Sequence, residues 1–475
     1  MTSANERVSV ADMERDTPQQ VLTKSVWILP CPLQGHINPL LQLARALAGR
    51  GVHVVFLVPK ATLPERSSLE TPGLSVLALD DGLPPDRSRG SNIKDSFDSM
   101  NHMESAFVRL LDASRQGVAC LIYDAFVAWA PRIASSLSIR SSCFFTSNAT
   151  ACAVVCHIPV LIDRGILPFR SDENAPLPTT EIQGIDGAPD LLPEEFPVCI
   201  TFDATHFRYK FMAQLAKTLR NASSIIINTV EELEQEPIAA LRASVPIYTV
   251  GPLLLLSGRP SRLAVNFWPE DDECLQWLDS QTPSSVLFVS FGSMASPSLH
   301  QFQELAMGLE ASGQRFLWVV RPDSTEVPLQ DALPVGFLER TKDRGFIISW
   351  GPQLLILSHR SIGGFLTHGG WNSITENLST GNVPMVCWPH EAEQRLNRRL
   401  MCDMWNIGLR LQQKEDGIVA KEEIVRVISR LFHGNEAREL KEASKHVVQL
   451  VTKAIAKGGS SSRNLQDFQR NFISV

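Results

Sequence analysis

No pair of cysteines in this 475-residue chain has CxxC spacing, and the nine present, at positions 31, 120, 143, 152, 156, 199, 274, 387 and 402, make an odd total. That scatter argues against a disulfide framework or a zinc ribbon and suits reduced thiols in a cytoplasmic protein. No apolar run approaches the ~20 residues needed to span a bilayer. The nearest, Ala149 to Ile162, is interrupted by His157 and Pro159 and reads as a buried helix. Basic residues are not in excess, since the formal net charge is -7, which argues against a sequence-independent nucleic-acid partner. There is no HExxH, P-loop or DxD cluster, and His359 and His368, nine apart, match no ligand spacing, so no metal is expected. No GxGxxG fingerprint follows the first strand, and no repeat has an identifiable period. Val26 to Pro30 is too short for a signal-peptide core, so Met1 to Lys24 is expected to be a flexible leader.

What is present is an alternation of short β-rich runs with helical patterns, the mark of α/β domains in which helices wrap parallel sheets. Strands are expected at Val26–Leu29, Val52–Val58, Leu74–Leu79, Ala119–Tyr123, Ser142–Phe145 and Ser224–Asn228, then at Ser285–Phe291, Arg315–Val320, Gly345–Ser349, Ile362–Leu366 and Pro384–Trp388. Helices fit Pro39–Ala48, Leu299–Ala311, Ile374–Ser379, Gln394–Met404, Lys421–Phe432 and Glu436–Ala456. A chain this long outgrows one core, and the Pro- and Gly-bearing stretch 252–273 reads as a linker. The expected domains are therefore 25–251 and 274–475, two doubly wound sheets facing across a cleft. Ligands of such sheets bind beyond the carboxyl ends of the strands. Two irregular loops, Asp80 to Asp95 and Pro168 to Pro197, are long enough to be functional.

One segment is denser in chemistry than the rest, WGPQLLILSHRSIGGFLTHGGWNSITENLSTGNVPMVCWPHEAEQ from Trp350 to Gln394. Thr367-His368-Gly369-Gly370-Trp371-Asn372-Ser373 follows a strand and opens a helix, where free N–H groups and the helix dipole favour a diphosphate. The glycines let backbone approach it closely. His368 is placed to donate to that diphosphate as charge builds on a leaving group. Ser373 and Glu376 have the spacing of a capping box, which accounts for both without a ligand. In the first half, Asn38 reads as a cap and Pro39 as the first helical residue, placing His36 on the loop before a helix. Asp124 closes a strand at the same sheet edge, where a carboxylate can hold an imidazole in one tautomer.

The 350–394 segment resembles the signature box of the plant UDP-dependent glycosyltransferases of glycosyltransferase family 1, and the similarity covers nearly the whole chain after the leader. The resemblance implies two facing Rossmann-like domains of the GT-B type, with the last helix packing back on the N-terminal domain. It implies that Trp350 stacks on uracil, the Gly351 backbone reads the base edge, Gln353 and Glu376 meet the ribose, and Asn372, Ser373 and Ser293 meet phosphate. Trp371 and His368 belong to the same binding set. Glu393 and Gln394 hold the sugar, the glutamine going with glucose, and Thr146 contacts the donor sugar. His36 is the base and Asp124 its partner. The chain departs from the pattern at Gly369, usually Cys, at Glu393, more often Asp, and at an additional Asn382 before Val383-Pro384.

The expected activity is inverting transfer of glucose from UDP-glucose to a hydroxyl of a small lipophilic acceptor, by a cytoplasmic monomer without cofactor. One base suffices for direct displacement. The alternatives are a UDP-sugar epimerase or hydrolase on the same scaffold, or a nucleotide-sugar binder without chemistry.

Overall fold

A computed structural model describes residues 24–60, 71–84, 93–172, 174–258, 268–293, 296–325, 327–381 and 383–473. Most of the leader, the middle of the 80–95 loop, residues 259–267 of the linker and Asn382 lie outside the described residues.

Runs rich in Val, Ile, Leu and Phe form the strands because parallel strands covered on both faces need apolar side chains on both. The first sheet contains β1 (Ser25–Leu29), β2 (Val54–Pro59), β3 (Leu74–Leu79), β4 (Val118–Asp124), β5 (Arg140–Phe145), β6 (Ile225–Ile227) and β7 (Ile247–Thr249). Its order is β3-β2-β1-β4-β5-β6-β7, all parallel. The second contains β8 (Val286–Ser290), β9 (Arg315–Val319), β10 (Gly345–Ile348), β11 (Ile362–Thr367), β12 (Met385–Cys387) and β13 (Gly408–Arg410), ordered β10-β9-β8-β11-β12-β13. Strand order therefore reverses between β1 and β4 in one sheet and between β8 and β11 in the other. At each reversal the connections leave toward opposite sides and open a crevice beyond the carboxyl ends of the strands. These two doubly wound sheets form the GT-B architecture.

The three-residue strands β7 and β13, each at one end of its sheet, were not expected. The first helix also differs from expectation. It runs from Gln34 to Ala48, with Leu33 as N-cap and Pro39 inside. Pro39 is the sixth helical residue, so it removes the bond to the Gly35 carbonyl, which instead accepts from Asn372 Nδ2. His36 accordingly belongs to the opening turn of a helix and not to a loop. The helix Gln394–Met404 resolves into an α-helical Gln394–Arg399 followed by a π turn, Leu400–Met404.

After crossing the second sheet the chain returns. Leu465 and Phe468, both fully buried on the Ser460–Phe468 helix, join the core of the first sheet with Ile28, Phe56 and Tyr248. The Asn464 amide donates to the Thr249 carbonyl at 3.1 Å and Ser461 Oγ to the Gly251 carbonyl at 2.6 Å. Among the described residues no helix is long and apolar enough to cross a membrane.

Candidate functional site

β1 and β4 are neighbours with Leu29 beside Tyr123, so the helix after β1 starts next to the end of β4. This brings Nδ1 of His36 to 2.7 Å from Oδ2 of Asp124. Asp124 is wholly shielded from solvent, and its other oxygen accepts the Phe126 N–H at 2.9 Å. The imidazole packs on Phe126 with ring centroids 4.4 Å apart, and Thr146 Oγ1 lies 3.4 Å from Nδ1. With Nδ1 turned to the carboxylate, Nε2 is the nitrogen left for the cavity that His36 lines.

On the facing sheet Ser290 of β8 pairs with Thr367 of β11, so the turns that follow these strands lie side by side. They carry Gly292-Ser293 and His368-Gly369-Gly370. Gly369 takes φ 76°, a left-handed conformation suited to glycine, and a Cβ there would stand 2.4 Å from Cys387 Sγ. A Cβ on Gly370 would meet His368 Nε2 at 2.4 Å, and one on Gly292 would meet His368 Cε1 at 2.7 Å. These glycines make room for the imidazole as well as for any ligand. Burial first, then the nearby His390 and Arg321, hold His368 down to about 3, so it is neutral at physiological pH. Its Nδ1 is buried without a hydrogen-bond partner.

The Trp371–Thr380 helix has Gly370 as N-cap and no side-chain cap. The Ser373–Glu376 capping box is thus absent: Ser373 is the third helical residue, and both side chains meet Gln353. Its Nε2 donates to Ser373 Oγ at 3.1 Å and to Glu376 Oε2 at 2.5 Å. Burial raises the Glu376 carboxyl to about 7, with Gln353 opposing the shift. An uncapped helix start leaves N–H groups and a partial positive charge facing the cavity, a ready anion site.

Past β12, Gln394 Oε1 accepts the backbone N–H groups of His390 (2.8 Å) and Glu391 (2.9 Å). That leaves its Nε2 as the group to offer. Glu393 Oε1 accepts from Ser147 Oγ at 2.9 Å and from Asn397 Nδ2 at 3.2 Å. This segment locks the lobes together, since Val198 N–H donates to the Ala392 carbonyl and Arg208 pairs with Glu391, both at 2.8 Å. Asn372 Nδ2 donates to the Gly35 carbonyl at 2.7 Å and Trp371 Nε1 to the Asn228 carbonyl at 2.9 Å.

One cavity of about 450 Å³ is lined by His36, Thr146, Ser293, Trp350, Gly351, Gln353, His368, Trp371, Asn372, Ser373, Glu376, Glu393 and Gln394. Asp124 stands behind His36 outside the lining. Every candidate residue is therefore brought to one place. At the apolar end Ala151 and Val155 of the Ala149–Asp163 helix are joined by Phe97, Phe126, Phe211 and Met212, which sequence reasoning did not single out. Phe207, Phe211 and Leu215 recur every fourth residue on the Phe207–Arg220 helix, a periodicity that signals a face.

Two doubly wound lobes, with an uncapped helix start on one and a carboxylate-held histidine on the other, meet at one cavity in the arrangement of a GT-B transferase of nucleotide sugars. The family model "UDP-glucoronosyl and UDP-glucosyl transferase" matches residues 227–428. The chain is 36% identical over 470 residues to 7-deoxyloganetin glucosyltransferase of Gardenia jasminoides, covering 92% of this chain and 95% of the relative. It is 35% identical over 469 residues to (R)-mandelonitrile beta-glucosyltransferase of Prunus dulcis, with the same coverage. The solved structure of Phytolacca americana UGT2 complexed with UDP-2fluoro-glucose and pterostilbene superposes with a TM-score of 0.81 at 31% identity, covering 95% of this chain and 100% of that one. The chain belongs to the plant UDP-dependent glycosyltransferases of family 1 and is a UDP-glycosyltransferase.

Proposed function

We propose that this enzyme transfers glucose from UDP-glucose, with inversion, to a hydroxyl of a small lipophilic acceptor, His36 acting as general base. The observation that carries the reading is the opposition of two switch points across one cavity: the His36–Asp124 pair on the first sheet and the uncapped Trp371 helix start on the second. UDP lies against the second lobe, uracil on Trp350, ribose at Gln353 and Glu376, diphosphate at the helix start with Ser293, and sugar at Glu393 and Gln394. The acceptor occupies the Phe-lined end beside His36.

Nε2 of His36 takes the acceptor hydroxyl proton as the oxygen attacks the anomeric carbon. The bond from that carbon to the diphosphate oxygen breaks, and its electron pair leaves with UDP. Asp124 stabilises the imidazolium so formed. Charge developing on the leaving group is met by backbone N–H groups and the helix dipole. These donors support a reaction without metal. Nine reduced thiols support a cytoplasmic setting, and we read the enzyme as a monomer.

The test is product analysis with UDP-α-glucose and a panel of hydroxylated aromatic and terpenoid acceptors, reading anomeric configuration by NMR. A β-glucoside is expected. An α-glucoside, or free glucose with no acceptor consumed, would refute the reading.

A further inference from the structure

We propose that Asn148 and Asn397, neither of which lines the cavity, are positioning residues: their buried amide pair holds the acceptor lobe at a fixed distance from the donor sugar. The inference rests on the functional reading above.

Asn148 caps the Ala149–Asp163 helix of the first lobe, its Oδ1 accepting the Ala151 N–H at 2.8 Å. A backbone N–H can only donate, so this bond fixes which way the amide is turned and leaves Nδ2 to face the second lobe. There it donates to Asn397 Oδ1 at 2.6 Å. With Oδ1 so engaged, Asn397 Nδ2 is turned to the Gly369 carbonyl at 2.8 Å and to Glu393 Oε1 at 3.2 Å. The orientation of both amides thus follows from one helix cap, and neither can flip without setting like atoms against each other.

Each end of this relay carries part of the site. Gly369 is the left-handed residue of the turn before the Trp371 helix, and Glu393 is proposed to hold the sugar. On the other side Ala151 and Val155 of the capped helix line the acceptor end, and Thr146, two residues before Asn148, lies 3.4 Å from His36 Nδ1. Both asparagines are wholly shielded from solvent, whereas Arg208 and Glu391, which also join the lobes, are 25% and 42% exposed. Water can replace the partner in an exposed pair. It does not reach these amides, so parting them leaves polar atoms buried and unmet. The pair therefore resists small shifts of one lobe on the other, to which a displacement between groups held by different lobes is sensitive.

The experiment measures kcat for one acceptor that the wild type glucosylates, and Kd for UDP by calorimetry, in the wild type, N148S, N397S and the double variant. Rates are expressed per UDP-binding site, which the calorimetric stoichiometry counts, so partly unfolded enzyme does not lower them. Serine is itself a good helix cap, so N148S keeps the helix start and loses the reach to Asn397. N148S is expected to lower kcat by about tenfold or more while UDP, placed against the second lobe, stays within about threefold. The double variant is expected to lose no more kcat than the worse single variant, as for residues acting through one contact. A kcat of N148S within about threefold of wild type, equal losses in kcat and UDP affinity, or losses that multiply in the double variant overturn the proposal. If N148S gives no cooperative melt, N397S carries the test: a kcat lowered by about tenfold or more supports the proposal, and one within about threefold of wild type overturns it. Wild-type protein that binds UDP but forms no glucoside would instead refute the functional reading, and this inference with it.

Discussion

His36 and Asp124 are 88 residues apart in sequence and 2.7 Å apart in space. The contact exists because β1 and β4 adjoin at the point where strand order reverses, so that the helix after one strand opens beside the end of the other. Replacing His36 by Ala removes the proposed base and is expected to lower kcat by about 10²–10⁴ while UDP affinity stays within severalfold. Asp124→Asn puts an amide N–H opposite Nδ1, which favours the tautomer with the proton on Nε2, and a loss of similar order follows. Steady-state rates with a fixed acceptor check both, and an unimpaired His36→Ala enzyme would eliminate the base.

Gln394 shows its amide nitrogen to the cavity, since its oxygen is held by two backbone N–H groups. We expect preference for UDP-glucose over UDP-galactose. In Gln394→Glu an oxygen replaces the donor, and kcat/KM for UDP-glucose should fall by about tenfold or more, as for a lost hydrogen bond to a buried polar partner. Equal rates of the wild type with both sugars would contradict this assignment.

Glu376 and the two buried histidines impose opposite pH dependences on folding. The Glu376 carboxyl sits at about 7 against an ordinary 4.5, so its contribution is full below pH 4.5 and lost as pH rises through 7, about 3 kcal/mol in all. His368 and His390 are lowered by burial to about 3 and about 4, so their contribution is present above pH 6.5 and lost as pH falls. Two groups outweigh one. Across pH 4.5–6.5 these three together make stability rise by about 1.4 kcal/mol per unit, with a maximum near pH 6.5. Chemical denaturation of the ligand-free enzyme across pH 4.5–8 checks the shape, and Glu376→Gln should abolish the decline above the maximum.

His390 packs between Trp388 and Phe291, with centroids 5.6 and 5.5 Å away, and its Nε2 is buried without a partner. His390→Phe keeps a flat ring and removes that polar atom. The variant is expected to recover about 2 kcal/mol of the stability that wild type loses at pH 5. Melting curves at pH 5 and pH 7 measure this, and an unchanged difference between them would count against it.

The C-terminal return closes the first lobe. Phe468→Ala leaves a cavity where a fully buried ring stood against Tyr248, and about 3–5 kcal/mol of stability should be lost. Leu465→Ala should cost about 2–5 kcal/mol. A shift of less than about 1 kcal/mol in either, read by denaturant melts, would mean the helix contributes little to the lobe.

The alternation of apolar runs with helical periods determined the α/β class, and most strands, the three-residue β6 and β12 among them, were readable as apolar runs. β7 and β13, three residues each, were decided by pairing with neighbours already in place. The candidate site was legible where its parts are contiguous, as from Trp350 to Gln394, because a strand, a glycine turn and a helix start are local events. What needed the tertiary structure was whatever depends on strand order. Asn372 on the Gly35 carbonyl, and Gln353 replacing a capping box as the partner of Ser373 and Glu376, are contacts between segments whose spacing carries no trace of them. Local propensity sets each element, whereas the juxtaposition of strand ends at two reversal points is a property of the assembled sheets.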